Sequence, residues 1–340
     1  MSIMSFSRAF VLSAPVVAVM PLRGGHIHDS WTLRLADESR WVLQRVNEQV
    51  FADLPALAHN VERVVAHLRG QGEPLWLVPT QGGAQHLAAA GTLWRMWPYL
   101  PGRSLAQAHD PVQAEAAGRA FGRFARQVAD MPADDWQPSL PRFHDLDWRL
   151  VQLEAAKGQA GKARLELARA ALAEVHAQAA SRHDLRPWLP RLPHRLAHCD
   201  AKLANVRLHA QRDEAVSVLD FDTVMRGTPL YDLGDLIRSL SSPEPEDSPH
   251  LDRVQVRGAY VRALLRGYLD QTSLTEAERA AIPAAGAHLM LIMALRFLTD
   301  YLAGDPYFGT AYPQHNLDRC HNQLALLKHW RAAGAGLMLG

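Results

Sequence analysis

Two short stretches carry the residue types that a phosphoryl-transfer site requires. In HCDAKLAN (198–205), Asp200 stands two residues after His198, Lys202 two after Asp200, and Asn205 five after Asp200. In VLDFD (218–222) a further acid, Asp220, closes an apolar run twenty residues beyond Asp200, and Asp222 follows it by two. Moving a terminal phosphate needs oxygen ligands converging on a divalent cation. It also needs a carboxylate that orients the acceptor hydroxyl and takes its proton. Asp200 fits the second task. Asn205 and Asp220 fit the first, in the pattern of a catalytic-loop Asp, a loop Asn and an Asp at the end of the next strand. Lys202 can reach the transferring phosphate and offset its growing charge. Asp222 projects to the same side of an extended segment as Asp220, which makes it a candidate to complete a Mg2+ shell. An isolated Asp would carry no such argument. Here the residues between the two stretches read as a hairpin, with VRLH (206–209) and AVSVLDF (215–221) β-prone and AQRDE (210–214) as the polar turn.

The rest of the chain must position these groups. VVAVM (16–20), WTLRLA (31–36) and RWVLQRV (40–46) read as three strands, with the loop PLRGGHIHDS (21–30) between the first two. In kinase-like folds that loop lies over the nucleotide phosphates, and Gly24 and Gly25 let its backbone approach closely. The third strand of such folds carries a base for the α- and β-phosphates. Here Gln44 falls at that position and Arg45 is the charged neighbour. Strand side chains alternate, so only one of the two faces the cleft, and the sequence leaves open which. Residues 53–69 read as a helix with Leu57, Val61, Val64, Val65 and Leu68 on one face, and its Glu62 is a candidate partner for a strand base.

LWLVPT (75–80) and TLWRMWPYLPG (92–102) read as two more strands. Pro98, Pro101 and Gly102 then mark a hinge where Trp97 or Tyr99 would pack near an adenine. Beyond it the chain reads as helical over 108–129, over 146–181 with a break at Gly158 and Gly161, and over 251–271, 275–302 and 315–333. The proline-rich stretch SSPEPEDSPH (241–250) reads as an exposed loop.

Composition bounds the function classes. A chain of 340 residues, 48% hydrophobic, can bury one or two substantial cores. Its net charge of +1 and lack of a basic or acidic tract argue against nucleic acid or anionic membrane as the main partner. The two cysteines, Cys199 and Cys320, make neither a disulfide framework nor a zinc pattern, as expected of free thiols in the cytoplasm. Cys199 lies inside the catalytic loop, where alkylation would inhibit. No stretch reads as a bilayer span. The apolar run 9–20, with one preceding Arg and an interrupting Pro15, reads as a lead into the first strand rather than a signal peptide.

The sequence resembles one branch of the aminoglycoside phosphotransferase and choline kinase superfamily, that of N-acetylhexosamine 1-kinases. The likeness runs through GGHIHDSW (24–31), WVLQRVNEQVF (41–51), FHD (143–145), HCDAKLANV (198–206), LDFDTVMRGTPLYDLGDLIRS (219–239), RFLTDYLAGDPYF (296–308) and HNLDR (315–319). The chain departs from that branch at His28, Cys199 and Ala201, where Asn, a polar residue and Thr are expected.

The resemblance implies an α+β, protein-kinase-like fold of two lobes. Residues 1–98 would form a small N-terminal lobe with an antiparallel sheet, and 99–340 a larger, mostly helical lobe. It implies ATP and Mg2+ as cofactors and, in a monomer or homodimer, transfer to the anomeric hydroxyl of an N-acetylhexosamine or related sugar. His26, Asp29, Arg296 and Tyr307 would face that sugar, and Asp232 and Asp235 would buttress the catalytic loop. Rival readings are another alcohol acceptor (a different sugar, homoserine, choline or an aminoglycoside) and a non-catalytic nucleotide sensor. The few acids after residue 270 weigh against a polycationic aminoglycoside. The complete set Asp200, Lys202, Asn205 and Asp220 weighs against a sensor.

Overall fold

In the computed structural model, which describes residues 3–22 and 27–337, a short helix α1 (Ile3–Ser7) precedes three strands, β1 (Val16–Pro21), β2 (Asp29–Leu35) and β3 (Arg40–Arg45). Helix α2 (Leu54–Gly70) follows, then β4 (Leu87–Ala89) and β5 (Thr92–Pro98). The five strands pair antiparallel in the order β1-β2-β3-β5-β4. The period-2 pattern of the strands decides their two faces. Leu33, Leu35, Leu43, Trp94 and Met96 bury one face against Phe6, Phe10 and Val78. The other face sets Ser30 opposite Gln44, and Gln44 opposite Arg95, across neighbouring strands.

Helix α2 starts where Asp53 accepts a hydrogen bond from the Ala56 N–H (2.9 Å), with a proline in the first turn. Its predicted stripe, Leu57, Val61, Val64, Val65 and Leu68, is buried, in the same apolar cluster as the helical half of the molecule. Asn60 on the same helix donates from Nδ2 to the Gln137 carbonyl. The helix is therefore anchored to the helical half and packs on residues 221–223, which follow Asp220.

After Pro98 the chain crosses between the halves. The crossing is stitched to the catalytic hairpin by two backbone hydrogen bonds, Arg103 N–H to the Leu208 carbonyl (2.9 Å) and Leu208 N–H to the Arg103 carbonyl (2.8 Å). Then come α3 (Pro111–Gln127), α4 (Leu146–Gln159) and α5 (Lys162–Ala180), the short strands β6 (Arg195–Ala197), β7 (Val206–Leu208), β8 (Ala215–Val218) and β9 (Met225–Gly227), and helices α6 (Pro229–Ser241), α7 (Gly258–Gln271), α8 (Glu276–Ala280), α9 (Ile282–Ala303) and α10 (His315–Leu337). Strand β7 pairs with β8 as the predicted hairpin, and β6 pairs with β9. This antiparallel-sheet lobe followed by a helical region is the two-lobed architecture expected.

Three local expectations are corrected. LWLVPT (75–80) is extended but is not a strand of the sheet. Pro74 and Pro79 lack the N–H a ladder needs, and Val78 makes a single ladder-like bond to the Met96 carbonyl (2.9 Å) while Leu87–Ala89 takes the edge. The helix expected over 275–302 breaks at Ala281, because Pro283 in the first turn of α9 cannot donate to the preceding turn. The helix expected from 251 begins at Gly258. Upstream, the Arg257 N–H bonds the Ser241 carbonyl (2.8 Å), and its guanidinium bonds the Ala108 and Leu240 carbonyls.

Helix α9 is long and apolar enough to cross a bilayer by length and composition, contrary to the sequence reading. In the fold, however, 78% of its apolar window is buried, and α4, α5, α6 and α10 pack around it.

Candidate active site

The loop after β6 is held from below by one carboxylate. Asp232, in the first turn of α6, accepts from the backbone N–H of His198 (2.8 Å) and of Cys199 (2.7 Å). Burial pushes the Asp232 carboxyl up to about 7, with Asp235 and Asp200 adding to the effect, although the two N–H donors pull the other way. The same helix places Asp235 against Arg238 (2.6 Å). Asp232 thus braces the loop from α6, whereas Asp235, expected to do the same, is paired with Arg238 of its own helix.

His198 is buried among Phe121, Phe124 and Phe221. Its Nε2 faces the Leu219 carbonyl at 2.9 Å, and burial lowers its pKa to about 4. The ring is therefore neutral and donates to Leu219, tying the loop to the strand end that carries Asp220. Cys199 takes a left-handed backbone, φ 62°, which turns the chain so that Asp200 follows at the cleft. Its thiol is 3% exposed, and burial raises its pKa. Alkylation at Cys199, expected from its position in the sequence, finds neither an accessible sulfur nor a thiolate.

Asp200, Lys202 and Asn205 form one contact set. Lys202 Nζ lies 2.8 Å from Asp200 Oδ2, and Asn205 Nδ2 donates to both the carbonyl and Oδ2 of Asp200 (2.9 Å each). Burial alone would raise the Asp200 carboxyl, but Lys202, with His198 and Asn205, holds it down at about 2. Burial alone would lower the Lys202 ammonium, and Asp200, with Asp220 and Asp235, raises it instead. With Nδ2 turned to Asp200, the Asn205 Oδ1 has no protein partner among the described residues.

Asp220 sits in the left-handed region (φ 66°, ψ 71°) at the start of a single 3-10 turn. Such strain persists where surrounding structure imposes it, and Asp tolerates it better than most residues. Crowding in the cleft and the nearby carboxylates of Asp222 and Asp200 push its pKa up to about 6. Ligand atoms of His28, Asp220 and Asp222 lie within 4.8 Å of one another. Of these, Asp220 is the carboxylate with no ion-pair partner among the described residues, and it and the unpartnered Asn205 oxygen are hard oxygen ligands. A divalent cation such as Mg2+ fits them.

Asp222 is held on both of its oxygens. Arg95 of β5 reaches it with both terminal nitrogens (2.5 and 2.6 Å), and His28 Nε2 lies 2.5 Å from Oδ2. Burial would raise this carboxyl, and Arg95 and His28 pull it well below the usual range. Removing either member of the buried Arg95–Asp222 pair alone costs about 3–5 kcal/mol in comparable cases. Metal coordination by Asp222, expected from its spacing, would have to use the one lone pair on Oδ1 that these three donors leave.

The open question on β3 resolves by strand alternation. Gln44 faces the cleft side, where its Oε1 accepts from Arg95 Nε (2.8 Å) and from Trp97 Nε1 (3.3 Å). Arg45 points the other way, to Glu48 (3.0 Å) and Asp29 (3.6 Å). Asp29, expected to meet the acceptor, is therefore on the face away from Gln44, exposed and paired with Arg45. Trp97 lies on the cleft face over Arg95, with 5.2 Å from guanidinium carbon to ring centre. Glu62 pairs with His86 (2.7 Å) rather than with a strand base. Gly24, Gly25 and His26 lie outside the described residues.

Behind the catalytic loop, His144 Nε2 donates to the Cys199 carbonyl (2.8 Å), and its neighbour Phe143 packs on the Ala197–Cys199–Met225 cluster. Arg296 lies over the rings of Phe143, Phe308 and Tyr307 (4.8, 5.2 and 5.7 Å). Arg149 bonds the Phe143 carbonyl through Nε and Nη2. The two guanidinium groups thus flank one ring, and burial together with the charge of Arg296 lowers the Arg149 pKa to about 10. Neither makes an ion pair with a carboxylate among the described residues. Asp300, the nearby acid, is occupied by the backbone N–H groups of Tyr307 and Phe308 (2.9 Å each) and by Asn316 (3.0 Å), so it shapes the turn that carries Tyr307.

His144 gives a pH prediction. Burial, with His288, Arg296 and Arg149, lowers its pKa to about 3. The unfolded chain takes up this proton near pH 6.5 while the fold does not, so stability falls as pH drops from about 6.5 toward about 3, by up to about 1.4 kcal/mol per pH unit. Urea midpoints between pH 7.5 and 4.5 should fall less steeply in His144→Gln than in the unaltered protein. Parallel curves would mean that His144 titrates alike in both states.

Sequence reasoning gave no contact role to Arg95 and His28, the two side chains that meet Asp222. The sequence placed Arg95 on a strand, and the missing base at Gln44 was the signal that a cation had to come from elsewhere.

Comparison with known proteins agrees with this geometry. Residues 18–281 match the family model described as the phosphotransferase enzyme family. Among solved structures, an aminoglycoside phosphotransferase from Alicyclobacillus acidocaldarius superposes with a TM-score of 0.67 at 15% identity, covering 99% of this chain and 95% of that one. A microcompartment-associated aminopropanol kinase gives 0.66 at 16% identity, covering 99% and 98%. Amicoumacin kinase, in complex with AMP-PNP, Ca2+ and Ami, gives 0.63 at 16% identity, covering 95% and 92%. At these identities the structures share the fold. The family match covers most of the chain, including both catalytic stretches, and the chain belongs to the phosphotransferase enzyme family.

Proposed function

We propose that this protein is an ATP- and Mg2+-dependent small-molecule kinase that phosphorylates the anomeric hydroxyl of an N-acetylhexosamine or closely related sugar. One observation carries the phosphoryl-transfer reading: Asp200, held near pKa 2 by Lys202, stands beside Asn205 and within the field of Asp220. Asp200 is ionised at working pH, so it orients the acceptor hydroxyl and receives its proton as the bond to phosphorus forms. Lys202 stays charged and offsets charge developing on the transferring group. Asn205 and Asp220 would hold the metal, which when bound neutralises the phosphate oxygens. The amicoumacin kinase complex, holding AMP-PNP and Ca2+ in the same fold, supports a nucleotide and a divalent cation here.

The acceptor reading rests on the other wall. Arg296 and Arg149 carry positive charge beside the catalytic loop, and neither is ion-paired with a carboxylate among the described residues. Such a wall repels a polycation and suits the hydroxyl and acyl oxygens of a sugar, with Tyr307, 45% exposed, as a stacking or hydrogen-bonding partner. The two buried thiols fit a cytoplasmic enzyme.

A coupled ADP-release screen over free sugars, N-acylated amino sugars, homoserine, choline and aminoglycosides tests this reading. N-acetylhexosamines should give the highest kcat/KM, with phosphorus NMR placing phosphate on the anomeric carbon. Preference for an aminoglycoside would overturn the acceptor assignment. No acceptor-dependent ADP release from any of them would overturn the kinase itself.

A further inference from the structure

We propose that Arg95, Asp222 and His28 form a buried clasp between the two lobes that positions the metal-binding segment for nucleotide, with Arg95 on β5 standing in the place a base on β3 takes elsewhere. This rests on the reading of the cleft as a nucleotide site. Arg95 projects from the sheet beside Gln44, its direct cross-strand neighbour, and the two are joined by a 2.8 Å hydrogen bond. A guanidinium is longer than an ammonium and forked. From the next strand it spans the space a β3 base would occupy and meets both oxygens of Asp222 at once.

The third member comes from a different element. His28 is the last residue of the loop between β1 and β2, and its Nδ1 accepts from the Asn47 N–H (3.1 Å), so Nε2 carries the hydrogen donated to Asp222. Asp222 in turn is tied into the catalytic half: its own carbonyl accepts from Ser139 Oγ (2.6 Å), and the next residue, Thr223, donates from Oγ1 to the His198 carbonyl (2.7 Å). Sheet, nucleotide-side loop and catalytic segment therefore meet at one carboxylate, two residues from Asp220. The side chains of Arg95, His28 and Asp222 are only 4%, 6% and 1% exposed. An ionic cluster this dry is rigid in geometry, and a rigid Asp222 fixes the strained turn that presents Asp220.

These are positioning residues, and their test reads more than turnover. Nucleotide affinity would be measured by calorimetry with ATP and the metal chelated, in the unaltered protein, Arg95→Lys, Asp222→Asn and the double variant, with melting curves to confirm folding. Each single change should weaken metal-free ATP binding about tenfold, and the double variant should be no weaker than the worse single, because both break the same contact. The metal activation constant at saturating ATP should stay within twofold. Hydrogen exchange should quicken together in residues 219–224 and in β3 and β5.

Unchanged metal-free affinity in Asp222→Asn with a raised metal requirement would make Asp222 a metal ligand and overturn the clasp. Multiplying effects in the double variant would overturn it too. Should Asp222→Asn fail to fold, His28→Asn, which removes one contact and no charge, must show the same coupled exchange. If the unaltered protein bound no ATP, the nucleotide reading would fall, and the exchange data would still decide whether the clasp joins the lobes.

Discussion

Turnover of Asp200→Asn is expected to fall by about 10²–10⁴-fold, with a much smaller change in nucleotide affinity. The reason is in the contacts. Asp200 is the anchor of Lys202 and the acceptor for Asn205. An Asn at 200 preserves the size of the group and one acceptor oxygen, so the loop keeps its shape. It cannot take a proton, and it no longer attracts the Lys202 ammonium. The loss should therefore appear in kcat and kcat/KM together, the signature of an interaction made in the transition state. Steady-state kinetics with the best acceptor, paired with calorimetric titration of ATP, separates the two quantities. Turnover within threefold of the unaltered enzyme would remove Asp200 from its assigned role.

Asp220→Ala should abolish metal-dependent nucleotide binding. Asp220 is the acid of the cleft whose carboxylate has no ion-pair partner among the described residues, whereas Asp200 is held by Lys202 and Asp222 by Arg95. Without it, the oxygen ligand left is the Asn205 amide, beside two carboxylates already held by cations, a poor site for a hard divalent ion. Titrating ATP with and without Mg2+ should give the same weak affinity in both cases, while the unaltered protein responds strongly to the metal. A metal response equal to that of the unaltered protein would place the cation elsewhere.

The change Asp220→Asn, which removes the charge and suits the left-handed backbone at this position, should raise the melting temperature near neutral pH. The carboxyl of Asp220 titrates near 6 in the fold and near 4 when unfolded, so ionising it above pH 4 works against folding until both states are charged. Residue 220 would then be one where stability is given up for function.

How much of this was legible follows from sequence distance. The catalytic loop, the hairpin and the α6 brace are built from contacts over a few tens of residues. Asp200 and Asn205 touch across five positions, and strands β7 and β8 are joined by a short turn. Spacing, turn residues and alternation encode such contacts directly, so the loop, the hairpin and the helix stripe of α2 were readable. LWLVPT was misread for the same reason: its composition is that of a strand, and only the ladder shows that Leu87–Ala89 took the edge.

The sequence by itself determined which residues are the candidates for the chemistry, because Asp200, Lys202, Asn205 and Asp220 are placed by a local loop and its hairpin. Only the tertiary structure decided what faces them. Gln44 and Arg45 are neighbours in the chain, and which one meets the cleft was set by packing of the Leu33–Leu43–Met96 face. Arg95 and Asp222 are 127 positions apart, and His28 and Asp222 are 194 apart. Nothing local encodes those meetings. They exist because burying the apolar faces of the sheet and of α2 brings the two halves together, and a buried carboxylate at the seam is stable only with donors from both sides.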